Sequence, residues 1–217
     1  MIYEGIAEGV LTMNFTDKKI KVICEKLFEM KERKLCGVED VLFAETGYKT
    51  EKELPDLKTL KPYSKYTLLD GMGKHYWFFC KVQPQTVEKG KKLYFTTDFK
   101  TTGLGDICDC EPQCMVFVNG EMRQSLDVNH PQLELEYNKE YEIFLHIYTG
   151  SADRRVSFDA YLSAVDEKIE HLYYDLFVPY EAAMCFDEGD SKRTLIFREL
   201  NKALDNLDLR VPFSNDF

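Results

Sequence analysis

The chain has 217 residues, enough to bury roughly 70% of the surface an unfolded chain exposes, and its 44% hydrophobic and 13% aromatic content suits an ordered protein. A net charge of -10 works against nucleic acid and anionic membrane surfaces as partners, because both would repel it. The opening "MIYEGIAEGVLTMNF" carries no basic region and no unbroken apolar run, and no stretch reaches the length of a membrane-spanning helix. Seven cysteines, an odd number, point to free thiols in a reducing compartment, so a cytoplasmic location is expected.

In chain order, residues 16–33 have helical spacing, with Ile20, Ile23, Cys24, Leu27 and Phe28 on one stripe and Thr16 or Asp17 available as N-cap. The next segment, "AETGYKTEKELPDLKTLKP", is polar and broken by Gly47, Pro55 and Pro62, and it reads as a connecting loop. From about Lys65 to Val165 the period changes to that of strands. "HYWFFCKV" (75–82) is apolar on both faces, which suits a strand covered on both sides. "KLYFTTDF" (92–99) alternates, with Leu93, Phe95, Thr97 and Phe99 together. "MVFVNGEMRQ" carries Asn119-Gly120, a strong hairpin signal because both residues tolerate positive φ.

"QLELEY" puts Leu133, Leu135 and Tyr137 inward, "YEIFLHIY" (141–148) aligns Tyr141, Ile143, Leu145 and Ile147, and "RVSFDAYLSAV" (155–165) aligns Val156, Phe158, Ala160, Leu162 and Ala164. With no helical period interrupting, the strands must connect antiparallel. The expected fold is therefore mainly β, an antiparallel β-sandwich of jelly-roll type. Beyond Val165 the helical period returns. Asp166 can cap a helix with Ile169, Leu172, Tyr173, Leu176 and Tyr180 on its stripe, and Pro179 should kink it or end it near Val178. A second helix, about Ser191 to Leu207, aligns Ile196, Leu200, Ala203, Leu204 and Leu207, and "DEGD" makes the two a helical hairpin. The expected division is 1–64 for an N-terminal helix and linker, 65–165 for the sandwich and 166–217 for the helical segment.

Several residue groups could carry chemistry. Cys108, Cys110 and Cys114 lie within seven residues and could hold zinc with His130, but no second cysteine pair accompanies them, and incidental loop cysteines are the plainer reading. A nucleophilic site needs Cys or Ser beside a histidine with an orienting carboxylate. His75, His130, His146 and His171 occur in no such motif, and G-x-S-x-G is missing. Asp98, Asp106, Asp109 and Asp127 are available as a glycosidase pair, yet 38 acidic residues make some pair inevitable.

One polar cluster, Asp127, Asn129 and His130, follows the Asn-Gly hairpin. Asp and Asn at strand ends bond the local backbone as Asx-turns, and Pro131 holds His130 extended, so a structural corner is preferred over a sugar-contacting site. No catalytic and no metal-binding residue is assigned.

"LLDGMGKHYWFFCKV", "MVFVNGEMRQSLDVNH", "YEIFLHIYTG" and "DEKIEHLYYDLFVPYEAA" followed by "LNKALDNLDLRVPFSNDF" together resemble the N-terminal, non-catalytic region of glycoside hydrolase family 38 α-mannosidases of bacterial or cytosolic type. The resemblance implies a sandwich similar to galactose-binding domains, followed by helices leading into a catalytic barrel that carries zinc and an H-x-D motif. The residues two places after the four histidines are Trp77, Gln132, Tyr148 and Tyr173, never Asp, so no catalytic or metal residue transfers. The chain is then expected to be a fragment, inactive alone, with no cofactor of its own and zinc confined to the absent barrel.

Its expected partners are that barrel, a mannose-containing glycan and, in a further role, another copy of itself; nucleic acid and membrane are not expected. Apolar stripes on the two C-terminal helices would be covered in part by the barrel, leaving an exposed patch. The alternatives are a protein-interaction sandwich or an independent carbohydrate-binding module. In the latter Trp77, Tyr76, Asp127 and Asn129 are candidate contacts, although the two-sided apolar run makes Trp77 a core residue first.

Overall fold

The computed structural model describes residues 4–47, 54–84, 86–102, 112–152 and 155–207, with side chains in the first helix described from Thr16 onward. In order these form α1 (Glu4–Lys31), β1 (Glu32–Gly37), β2 (Leu42–Thr46), a 3-10 turn (Leu57–Thr59), β3 (Lys61–Pro62), β4 (Leu69–Asp70) and β5 (His75–Val82). The chain continues through β6 (Lys91–Thr102), β7 (Gln113–Val118), β8 (Glu121–Leu126), β9 (Gln132–Leu135), β10 (Tyr141–Tyr148), β11 (Arg155–Asp166), α2 (Glu167–Met184) and α3 (Ser191–Leu204). Two units result: residues 33–165, which hold the strands, and residues 1–32 with 166–217, which hold the helices.

The strand unit is an antiparallel β-sandwich. One sheet runs β1-β11-β6-β9 with β4 also on β11, and the other runs β3-β2-β5-β10-β7-β8. Alternation decides which side chains meet between the sheets. Tyr76, Phe78, Cys80 and Val82 of β5 pack with Ile143, Leu145 and Ile147 of β10, and with Leu93, Phe95, Val156 and Phe158 from the opposite sheet.

The expected boundary at residue 64 gives way to one at 32/33. β2 pairs with β5, Leu42 opposite Phe79, and the Tyr63 hydroxyl accepts a 3.0 Å bond from the Phe158 amide. The polarity of residues 44–62 predicts a linker, and in the structure Phe43 and Tyr63 at its two ends pack with the sandwich core. Part of that stretch, 48–53, lies outside the described residues.

The Asn119-Gly120 turn forms with φ of 51° and 88°, the positive pair of a type I′ hairpin. The Asn119 side chain does a second job, accepting a 2.9 Å bond from the Glu142 amide that ties the hairpin tip to β10. Tyr137 departs from its expected inward position and is 52% exposed. The reason is that Tyr141 claims the backbone first: its hydroxyl receives the Glu136 N–H at 3.0 Å and donates to the Glu136 carbonyl at 3.1 Å, so β9 has stopped before Tyr137.

In the helical unit, α1 begins twelve residues before Thr16, so neither Thr16 nor Asp17 is its N-cap. Asp17 instead bonds the Tyr180 hydroxyl of α2, and burial, followed by that carboxylate, pushes the Tyr180 phenol up to about 12. Ile20, Cys24 and Leu27 are buried, while Phe28 is 55% exposed, its ring tilted against that of Tyr173 at 5.5 Å.

Asp166 caps α2, its Oδ1 accepting from the amides of Lys168 and Ile169, and Asp190 caps α3 through Lys192. Pro179 does not end α2, which runs on to Met184. Its missing N–H and ring cost one turn's bonding, and the burial of Leu176, Tyr180 and Ala183 on either side outweighs that loss. The apolar face of α3 is rotated from expectation. Phe197 and Arg193 are buried with Leu200 and Leu204, and Arg193 donates to the Phe186 carbonyl at 3.0 Å, fixing the connection from α2. Ile20, Cys24 and Leu27 of α1 pack with the stripes of α2 and α3 in one apolar cluster.

Candidate functional site

Asp127 and its neighbours form a closed turn. Asp127 Oδ1 accepts from the amides of Asn129 at 2.8 Å and His130 at 2.7 Å, and His130 Nδ1 lies 3.2 Å from the same oxygen. The His130 side chain remains 82% exposed. These bonds hold the corner between β8 and β9.

Trp77 lies elsewhere, on the outer face of the six-stranded sheet, and is only 5% exposed. It packs with Phe79, Phe117 and Phe144 beneath Leu42, Leu54, Leu60 and Met115. Trp77 is therefore core to a second apolar layer and not a surface platform.

The other candidates separate. Cys108, Cys110, Asp106 and Asp109 lie outside the described residues. Cys114 faces the sandwich interior, and burial pushes its thiol up to about 12, far from the thiolate form a metal needs. Burial likewise pushes Cys80 to about 12 and, helped by nearby Glu181 and Glu25, Cys24 to about 11. Asp98 pairs with Lys100 at 3.6 Å, and His171 is exposed on α2. Among the described residues no three of His, Cys, Asp or Glu are placed to hold a metal ion, and no helix is long and apolar enough to cross a membrane.

What the sequence alone did not bring together is a row of polar and aromatic side chains beside Trp77. In the register of β5, β10, β7 and β8, Trp77 stands opposite His146, His146 opposite Met115, and Met115 opposite Ser125. One step along, His75 stands opposite Tyr148. The rings stack: Trp77 on His146 at 4.7 Å, His146 on His75 at 5.2 Å, and His75 on Tyr148 at 5.0 Å.

His75, His146, Tyr148, Met115, Ser125 and Asp127 line an open groove of about 1010 Å³. His146 is 5% exposed, and its Nε2 has no hydrogen-bond partner among the described residues. Burial holds both imidazoles below their ordinary range, and for His146 the neighbouring His75 adds to the effect, so both are neutral at neutral pH. The signal that could have found this groove is the placement of His75 and His146 at outward positions of two strands. Their adjacency depends on register, which is not written in either strand.

Fold and site thus define an antiparallel β-sandwich with a groove on the outside of one sheet. No protein-family model matches the chain, and no curated protein matches it. Several solved structures are similar to part of the chain. A β-glucuronidase from an uncultured Clostridium species is 10% identical, with 63% of this chain and 29% of that chain covered at a TM-score of 0.37. A Faecalibacterium prausnitzii β-glucuronidase is 11% identical, with 63% and 31% covered at 0.36. A Bacteroides fragilis protein described as a putative β-galactosidase is 12% identical, with 62% and 23% covered at 0.31. The alignments span less than a third of each of these longer chains, and likeness this distant brings neither activity nor substrate to this one.

Proposed function

We propose that this chain is an ancillary, non-catalytic sandwich region of a glycoside hydrolase, of the family 38 α-mannosidase type that its sequence resembles. The observation that carries the reading is the commitment of several described cysteines and aspartates to structure. Cys24, Cys80 and Cys114 are buried thiols with strongly raised pKa values. Asp56, Asp127, Asp166 and Asp190 each accept backbone amides at a turn or helix start.

The described parts of the segments that carry the resemblance fall on β5, the β7-β8 hairpin, β10, α2 and α3, all of them scaffold elements. The partner in this reading is a catalytic barrel on the same polypeptide or in the same assembly. Zinc belongs to that barrel, the location is cytoplasmic, and self-association is a further role of the sandwich.

Two measurements test the reading. Purified 1–217 protein is expected to leave an aryl α-mannoside intact with and without added zinc, and zinc-dependent cleavage by the chain alone overturns it. The reading frame around these 217 codons is expected to continue into a segment with an H-x-D motif, and a frame that encodes no barrel also counts against it.

A further inference from the structure

The groove beside Trp77 has a composition that selects its ligand. Its walls alternate ring faces and a thioether (His75, His146, Tyr148, Met115) with a hydroxyl, a carboxylate and imidazole nitrogens (Ser125, Asp127, His146), and among the described residues no lysine or arginine lines it. A phosphate or carboxylate ligand would meet no cation among the described residues there and would face Asp127. A purely apolar ligand would leave the polar atoms without partners, at a cost for each that is desolvated. A ligand that presents flat C–H faces and many hydroxyl groups satisfies both kinds of wall.

His146 supplies the second observation. Its ring is clamped between Trp77 and His75, so its orientation is fixed before any ligand arrives, and its Nε2 is enclosed without a described partner. A buried polar atom in that state is stabilised by a hydroxyl that comes within reach, and a pre-set ring loses little freedom on binding. Ser125 stands beyond Met115 in the same cross-strand row and Tyr148 one step along, so donors and acceptors are spread over the width of three strands. That spread suits a ligand of more than one sugar ring.

We propose that this outer-sheet groove binds a short neutral oligosaccharide, with His146, Tyr148 and Ser125 as hydrogen-bonding side chains over a floor stiffened by Trp77. The choice of mannose-type sugars as first probes rests on the mannosidase reading above; the groove's chemistry stands without it.

Trp77 is the chain's one tryptophan, so its emission reports on the ring stack directly. The full 217-residue protein is titrated with mannobiose, mannotriose, cellobiose and mannose 6-phosphate, following Trp77 fluorescence and heat by calorimetry. The expected result is a saturable change with a millimolar or tighter Kd for a neutral sugar, weakened at least about tenfold in His146→Phe and several-fold in Ser125→Ala. Both variants are checked for an unchanged thermal transition, and Ser125→Ala carries the test if His146→Phe does not fold.

Binding of cellobiose with silence from the mannose sugars supports the groove and counts against the mannosidase reading. Silence from every neutral sugar, tighter binding of mannose 6-phosphate, or binding indifferent to both substitutions overturns the groove and leaves the scaffold reading untouched.

Discussion

The two faces of the six-stranded sheet are made by the same strands and do different work. Toward the sandwich interior, β5 and β10 present Tyr76, Phe78 and Cys80 with Ile143, Leu145 and Ile147, all apolar or nearly so and packed against a second sheet. Outward, the alternate residues run His75, Trp77, Phe79 and Phe144, His146, Tyr148. Half of this outer row is covered by Leu42, Leu54 and Leu60, and the other half lines an open groove. The inner face needs only volume and apolarity to be filled. The outer face is apolar where Leu42, Leu54 and Leu60 cover it and polar-aromatic along the groove. A strand that is apolar on both sides can thus belong to a core on one face and to a binding surface on part of the other.

The largest break in this comparison is expected from the inner face. Phe78 is fully buried and its ring meets Tyr63 at 4.9 Å and Phe158 at 4.8 Å. Phe78→Ala should cost about 3–5 kcal/mol, read as a shift in the urea midpoint. Phe144→Ala on the outer face should cost about 1–2 kcal/mol less, because neighbouring side chains and water can relax into the space left there. Equal losses would show that the outer layer is as tightly enclosed as the interior.

Acid sharpens the same contrast. The folded-state pKa values of His75 and His146 lie below 6.5 because burial disfavours the imidazolium, so the unfolded chain takes up protons first as pH falls. Their contribution to stability is complete above pH 6.5 and is lost as pH drops from there through their lowered folded values. Tyr148 and Asp127 also face this groove, and Asp127 stays committed to its turn. Urea midpoints at neutral and mildly acidic pH should therefore differ in the native protein, and His146→Phe should flatten the slope. A slope unchanged by that substitution removes the stacked pair as its cause.

The smallest effect is expected at the outer face's charged end. Lys81 and Glu142 pair at 2.7 Å with both side chains about half exposed. Lys81→Ala should leave the urea midpoint unchanged within error, since solvent screens such pairs. A clear loss there would mean that the exposed end of the sheet is organised more rigidly than its surroundings indicate.

Much of the fold was readable because period and punctuation are local. β5 and β10 fall on the expected residues, the Asn119-Gly120 turn forms, and Asp166 starts α2. The failures have tertiary causes. α1 extends back to Glu4 and lies on α2 and α3, so its own Asp17 meets Tyr180 and is no cap. Pro179 stays inside α2 because the residues around it are buried, and α3 turns Phe197 and Arg193 inward to suit its neighbours. The polar stretch after β2 hid Tyr63, whose hydroxyl joins it to β11.

The sequence by itself determined the alternation that separates the two faces of each strand, the positive-φ hairpin and the cap of α2, because each depends on residues within a few positions of one another. Only the tertiary structure decided that His75, Trp77, His146, Met115 and Ser125 share one surface. They come from β5, the β7-β8 hairpin and β10, and the hydrogen-bond register that brings these separated parts of the chain together is chosen by the packing of the whole sandwich.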